Sequence, residues 1–251
     1  MSPMPTPDLN TARQRGYTLG PRAFSSSGYK LPAVLAYQLV DDPARVVKWT
    51  SDKRDAYKEA NGLSKLDIVG VPCVYDFFTD RTGGYTVQTL IAGSALLYQS
   101  LPIKETLVVA RDVATILEQL HDAGFIHRDI AARNILWDGN RVGIVDFSTM
   151  TAIGTPFSNW NYEMLESRPP QKRSLFAIAT TDIDTYAVAD MLLGQLAATV
   201  REGQRDSELH AAVKAALRPA LEPQVRRRGI RTAAALRETI ESLLRTIDSC
   251  E

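Results

Sequence analysis

Between Tyr17 and Trp49 the segments YTLGPRAF, AVLAYQLV and ARVVKW have a strand-like pattern bounded by turn signals, which predicts three strands. Ser-Ser-Ser-Gly at 25–28 and Asp41-Asp42-Pro43 punctuate them as turns, so the three strands should run antiparallel. In SDKRDAYKEANGLSKL the pattern changes. Ser51 offers a cap, and Ala56, Tyr57, Ala60, Leu63 and Leu66 recur at helical spacing, which predicts one amphipathic helix. Two further strands, PCVYDFF and GYTVQTLI, flank a turn at residues 80–84. Beyond residue 93 helical periodicity takes over. ETLVVARDVATILEQLHDAG aligns Leu107, Val108, Val113, Ile116, Leu117 and Leu120, and Gly124 ends it. DIDTYAVADMLLGQLAATV, DSELHAAVKAALR and RTAAALRETIESLLRTI predict three more helices. Strands in the first third and helices thereafter predict an α+β protein of two lobes.

Composition narrows the picture. The 251 residues are 45% apolar, enough for a substantial core. Lys plus Arg (29) balances Asp plus Glu (29), which argues against nucleic-acid or membrane-surface binding driven by positive charge. The basic group Arg226, Arg227, Arg228 and Arg231 lacks interleaved aromatics and reads as structural. Cys73 and Cys250 fit neither a disulfide framework nor zinc spacing, and are expected in a core and on a tail. No apolar run approaches the roughly 18 residues of a membrane span. We expect a soluble cytoplasmic monomer. The start MSPMPTPDLN, Pro-rich and polar, predicts a disordered tail over residues 1–15.

The stretch FIHRDIAARNILWDGNRVGIVDFS sets Asp129, Asn134 and Asp146 among core-like residues. Burying an unpaired carboxylate costs several kcal/mol or more, so such acids have a cation or metal as partner. His127-Arg128-Asp129, Asn134 five residues later, and Asp146-Phe147 twelve after that have the order and spacing HRDxxxxN followed by DFG. In these segments the chain resembles the protein kinase superfamily, as a compact and divergent version of the eukaryotic type. The resemblance extends over residues 17–247. It implies a bilobal fold, with a small antiparallel β lobe carrying one helix at 16–91 and a larger helical lobe at 92–251.

The resemblance also implies ATP and Mg²⁺ as cosubstrate and cofactor and a protein as acceptor. Phosphoryl transfer needs an acid to orient the acceptor hydroxyl and take its proton, which would be Asp129, and oxygen ligands for the metal, which would be Asn134 and Asp146. Lys48, in the strand RVVK, would meet the nucleotide phosphates, with Glu59 of the next helix as its partner. YTVQTLIAGSAL resembles the strand and hinge between the lobes. Gln88 would take the gatekeeper position, and the backbone of Thr89, Leu90 and Ile91 would meet adenine. Asp182 resembles the buried aspartate that anchors the catalytic loop, and Asn161-Tyr162-Glu163 stands where the family has APE. His127 is read as structural.

Several positions depart from the family pattern. LGPRAFS keeps Gly20 of the glycine-rich loop but has Arg22 and Ser25 where glycines belong. Ser148 replaces the glycine of DFG, which removes φ freedom there. Ala131 stands where serine/threonine kinases carry lysine, and Arg133 resembles the arginine that takes over this task in tyrosine kinases. Residues 159–162, which would floor the acceptor pocket, lack the tyrosine-kinase proline. Transfer to Ser or Thr is expected ahead of Tyr. Arg128 suggests a switch by phosphate on Thr149, Thr151, Thr155, Ser158 or Tyr162. Two other readings stay open: a small-molecule phosphotransferase of the aminoglycoside or choline kinase kind, and a nucleotide-binding pseudokinase scaffold.

Overall fold

The computed structural model describes residues 6–26, 33–156, 178–201, 207–221 and 230–249. The chain divides into two units, one of Met1–Asp67, Val71–Ile91 and Asp146–Thr149, the other of Ile68–Gly70, Ala92–Val145 and Met150–Glu251. The first unit differs from the expected lobe of 16–91 in two places. The N-terminal segment belongs to the first unit, and Asp146–Thr149 join it from the middle of the chain.

The first unit begins with a short helix, α1 (Leu9–Gln14), where a disordered tail was expected. Asp8 caps it, Ala12 is fully buried, and Tyr17 just beyond stacks on Phe78 at 6.1 Å between ring centroids. The proline-rich stretch ends at Pro7, and the residues after it carry a cap, an apolar contact and an aromatic anchor, enough to dock a helix that could not stand alone.

Five strands follow: β1 (Leu19–Ser26), β2 (Val34–Leu39), β3 (Arg45–Thr50), β4 (Val74–Thr79) and β5 (Gly84–Thr89), all antiparallel in the order β1-β2-β3-β5-β4. One face packs Val47, Trp49, Tyr85 and Val87 with Ala12, Leu39 and Phe78 into a core. The other face meets α2 (Lys53–Leu63), whose Ala56, Glu59, Ala60 and Leu63 are buried. With both faces covered, β3 is buried at every position after Arg45, and its burial does not alternate. The cap of α2 is Asp52, which accepts from the Arg54 and Asp55 N–H groups; Ser51, the expected cap, instead accepts from Ala33 N–H at 2.9 Å.

The second unit is built on α3 (Ile103–Asp122), whose Leu107, Val113, Leu117 and Leu120 are wholly buried. Gly124 at φ +85 stops it, with no space conflict but a backbone angle few other residues adopt. A two-residue strand pair, β6 (Ser94–Ala95) with β8 (Ile135–Trp137), extends to β9 (Val142–Ile144), while β7 (Phe125–Ile126) pairs with β10 (Thr151–Ala152). Three helices complete it: α4 (Asp182–Arg201), α5 (Ser207–Leu221) and α6 (Ala233–Asp248). α6 lays Leu236, Ile240 and Leu244 inward, and both α6 and α4 pack against α3. Among the described residues no helix is long and apolar enough to cross a membrane. Cys73 is a half-buried free thiol.

Candidate functional site

In the first unit three of the expected residues meet. Lys48 on β3 donates from Nζ to both Glu59 oxygens of α2, at 2.6 and 2.7 Å, and to Asp146 Oδ1 at 3.3 Å. Strand and helix supply one partner each because Lys48 points to the α2 face of the sheet. The Lys48 and Glu59 side chains are 10% and 2% exposed, that of Asp146 40%. Burial alone would lower the Lys48 ammonium, but the carboxylates of Glu59 and Asp146 outweigh it and raise it above the ordinary lysine value. The lysine is thus held charged. Burial pushes Glu59 up, against the pull of Lys48. Phe147 N–H donates to Glu59 Oε1 at 3.3 Å, tying the segment after Asp146 to the same helix. Asp146 itself has φ +65, the left-handed region that few non-glycine residues occupy. Ser148 Oγ donates to Asp146 Oδ1 at 2.9 Å, a contact the family's glycine could not make.

The second unit holds the other group. Asp129, 7% exposed, accepts from Arg133 Nη2 at 2.6 Å on each oxygen and from Asn134 Nδ2 at 2.9 Å. Asn134 Nδ2 also donates to the Asp129 carbonyl at 2.8 Å, so its amide oxygen is the atom left to turn toward a cation. The spacing Asp, Arg four later, Asn five later is therefore a single closed turn around one carboxylate.

The loop that carries Asp129 is pinned from below. Asp184 of α4, fully buried, accepts from His127 N–H and Arg128 N–H at 2.8 Å each and from His121 Nε2 at 3.0 Å. Burial alone would raise Asp184, yet the His121 hydrogen bond and charge, with help from His127 and Arg128, hold it below the usual carboxylate range. The anchor expected at Asp182 is thus corrected to Asp184. Two residues along a helix turn the side chain through roughly 200°, and Asp182 instead accepts from the Thr180 hydroxyl at the helix start. His127 is structural, as expected. Its Nδ1 accepts from Asp129 N–H and its Nε2 donates to the Val145 carbonyl, each at 3.2 Å. Sequence reasoning missed His121 and Asp184; the signal was a histidine in the last turn before HRD and a second acid in DIDTY.

Other expectations are modified. Thr89 N–H donates to Cys73 O at 2.9 Å and Leu90 N–H to Ala44 O at 2.8 Å, so these two N–H groups tie the end of β5 to its neighbours. Ile91 follows them outside the strand. Gly20 lies in β1, where an added Cβ would come 3.0 Å from the Gln38 carbonyl; its need is close approach of β2. Arg128 has φ +75, and Thr151 and Thr155 hydroxyls bond each other at 3.2 Å. Ser158, residues 159–162, Glu163, Arg226, Arg227, Arg228 and Cys250 lie outside the described residues.

Among the described residues no cluster of three or more His, Cys, Asp or Glu side chains is arranged to hold a metal. The oxygens that Asp146 and Asn134 each offer are of the hard kind that suits a cation taking most of its ligands from water and phosphate, as Mg²⁺ does.

A family profile described as protein tyrosine and serine/threonine kinase matches residues 46–168. The KEOPS complex subunit Bud32 of Pyrococcus abyssi is 32% identical over 97 residues, 38% of this chain and 44% of that protein. Serine/threonine-protein kinase ppk21 of Schizosaccharomyces pombe is 30% identical over 119 residues, 45% of this chain and 21% of the relative. Serine/threonine-protein kinase PrkC of Bacillus subtilis is 28% identical over 146 residues, 54% of this chain and 22% of the relative. The chain thus spans less than half the length of these curated relatives.

Proposed function

Because the chain belongs to the protein kinase superfamily, we propose that it transfers the γ-phosphoryl group of ATP to a hydroxyl of a protein substrate. The observation that carries this reading is Lys48 held charged between the buried Glu59 and the partly exposed Asp146. A buried ion pair contributes little to stability, and replacing it with apolar residues is often neutral or better. Its worth lies in keeping an ammonium fixed where phosphate oxygens can reach it.

In the reaction the acceptor oxygen forms a bond to the γ-phosphorus as the bond to the ADP oxygen breaks. Asp129 orients the acceptor hydroxyl and takes its proton. Lys48 meets phosphate charge, and Arg133 leaves Asp129 to meet the transferring group. Asp146 and Asn134 would each offer an oxygen to Mg²⁺, which would supply neutralisation of phosphate charge. Asp184 acts through the loop, fixing the peptide groups of His127 and Arg128 so that Asp129 projects at a constant angle.

Serine or threonine is the favoured acceptor, a preference supported by the names of ppk21 and PrkC. The test is transfer of labelled γ-phosphate from ATP to mixed cell proteins, followed by phosphoamino-acid analysis. Phosphoserine and phosphothreonine are expected. Phosphotyrosine alone overturns the acceptor preference, and label on small molecules only overturns the protein substrate.

A further inference from the structure

The second unit contains a groove of about 780 Å³ whose lining includes neither Asp129 nor Asn134. Ile130, Ala131 and Ala132 form its floor. One wall is the short turn Leu96–Tyr98, where Leu97 and Tyr98 stand 53% and 83% exposed. The other wall is α4, whose lining positions recur four residues apart from Tyr186 to Ala198. That spacing keeps them on one helix face, over roughly 18 Å at a rise of about 1.5 Å per residue.

The lining says what could fill it. Ala131 and Ala132 keep the floor low, and at Gly194 an added Cβ would meet nothing within 4 Å. Among the described residues of the lining Asp190 alone is charged, and it is exposed. Tyr98 and Tyr186 bring aromatic rings to the same groove, and ring faces attract cations. A volume of this size lies within the about 300–1,000 Å³ of small-molecule sites, and one basic side chain would leave most of it empty. A longer peptide fits poorly for another reason, because its backbone N–H and C=O groups would need partners. Leu97 N–H is given to Ala132 O at 3.0 Å, Gln99 Nε2 donates to Ser94 O and Trp137 O at 2.6 and 3.2 Å, and the amides of α4 are taken within the helix.

We propose that the groove binds a small amphipathic cation, with its ammonium or guanidinium against Asp190 and the tyrosine rings and its apolar body over Gly194 toward Ala198. From Asp190 to Ala198 the helix rises about 12 Å, which sets the length of that body. Attraction to the one carboxylate and the two rings selects the charge, and the small residues select the shape.

The test is binding to the full chain, which needs no nucleotide. Dansylcadaverine, a fluorescent amine on a flexible stem, is titrated against its N-acetyl derivative, which has the same body and no charge. Wild type should bind the amine about tenfold more tightly than the neutral probe. Asp190→Asn should cut that preference about three- to fivefold by weakening the amine alone, as expected on losing an exposed ion pair. Gly194→Leu sends a side chain into the open space and should weaken both probes at least about tenfold, with an unfolding midpoint at or above wild type because leucine is the better helix former. No saturable binding of the amine, or equal affinity of wild type for the two probes, overturns the proposal. So does an unmoved preference in Asp190→Asn, which decides the matter should Gly194→Leu fail to fold, and so does wild-type binding to folded Gly194→Leu. Displacement of the probe by an arginine-rich peptide at lower concentration than by decyltrimethylammonium also overturns it, since the groove would then be a surface for a protein segment.

Discussion

Arg133 Nη2 lies 2.6 Å from both carboxylate oxygens of Asp129, four residues before it on the same loop. The guanidinium side chain is 55% exposed and the carboxylate 10%, so one partner is held while the other can swing away. Asp129→Asn keeps the shape and the Asn134 contact but loses the proton acceptor. Transfer should fall by about 10²- to 10⁴-fold with nucleotide affinity and unfolding midpoint near wild type. Arg133→Ala should lower kcat and leave KM for ATP nearly unchanged if, as proposed, the residue acts at the transferring group and not on the bound nucleotide. Steady-state kinetics on both variants decide this; wild-type kcat in folded Asp129→Asn removes the base from the mechanism.

Lys48 and Glu59 form the buried ion pair to which the proposed function assigns nucleotide positioning. Removing one partner leaves a buried charge, so Lys48→Met and Glu59→Gln should each cost stability, Lys48→Met by about 3–5 kcal/mol. The double variant should cost less than the sum, because the second change removes the stranded charge. Urea unfolding of the four proteins gives the cycle, and strict additivity would show that the pair is not coupled.

The loop that carries Asp129 hangs on Asp184, whose carboxyl is held below its ordinary range in the folded protein. For a depressed carboxyl the stabilisation is complete above the unfolded value, near pH 4, and disappears as pH falls through the folded one. Asp184→Asn should therefore be less stable than wild type by about 2–4 kcal/mol at neutral pH, and the gap should close on acidification below pH 4. Urea titrations from pH 7 to pH 3 measure both. A gap independent of pH would mean that shape, not charge, holds the loop.

Much of this site was legible because spacing reports chemistry. Asp129, Asn134 and Asp146 stand in a fixed order, and Lys48 and Glu59 lie on consecutive elements whose periods are clear. What stayed hidden depends on rotation and docking. Asp182 and Asp184 are equally plausible by composition, and only the angular position on α4 decides which reaches the His127 and Arg128 amides. Ser51 and Asp52 compete for one cap in the same way. The helix at Leu9–Gln14 has too few residues to announce itself, and it forms because the sheet face carrying Phe78 and Tyr85 is there to receive Ala12 and Tyr17. The thiol of Cys73 is half-buried where a core position was expected.

That docking has its own latch. Asp80 accepts from Thr11 Oγ1 at 2.8 Å, Thr82 Oγ1 at 2.6 Å and Tyr85 OH at 2.8 Å. Burial would raise Asp80, but hydrogen bonds from Thr82, Tyr85 and Thr11 take it down to about 2. The latch is thus complete above about pH 4 and weakens as pH falls through about 2. At neutral pH Asp80→Asn should speed tryptic cutting at the exposed Arg13 and Arg15 several-fold, while Thr11→Ala gives a smaller increase. Unchanged cutting in both would show that apolar docking of Ala12 and Tyr17 suffices.

Ser148 gives the most specific expectation, because it is where the chain departs from DFG. Its hydroxyl donates to Asp146 Oδ1 at 2.9 Å, the same oxygen that Lys48 reaches at 3.3 Å. A carboxylate meant for a metal is useful only if it waits in the right orientation, and Asp146 already sits at a backbone angle of φ +65 that costs energy to hold. A hydrogen bond to an ionised acceptor is worth about 1.5–3 kcal/mol at most sites, so losing it should loosen the ligand without abolishing it. Ser148→Ala removes the hydroxyl alone and should raise the Mg²⁺ concentration needed for half-maximal nucleotide stabilisation by about threefold to tenfold. Ser148→Gly also restores φ freedom and should raise it further, while Ser148→Thr should keep the wild-type value. Thermal shifts with ATP across a Mg²⁺ titration, with an EDTA arm, supply the numbers. If Ser148→Ala matches wild type throughout, the hydroxyl holds nothing that the metal needs; if it shifts nucleotide binding equally in EDTA, its effect is on the nucleotide and not on the metal ligand.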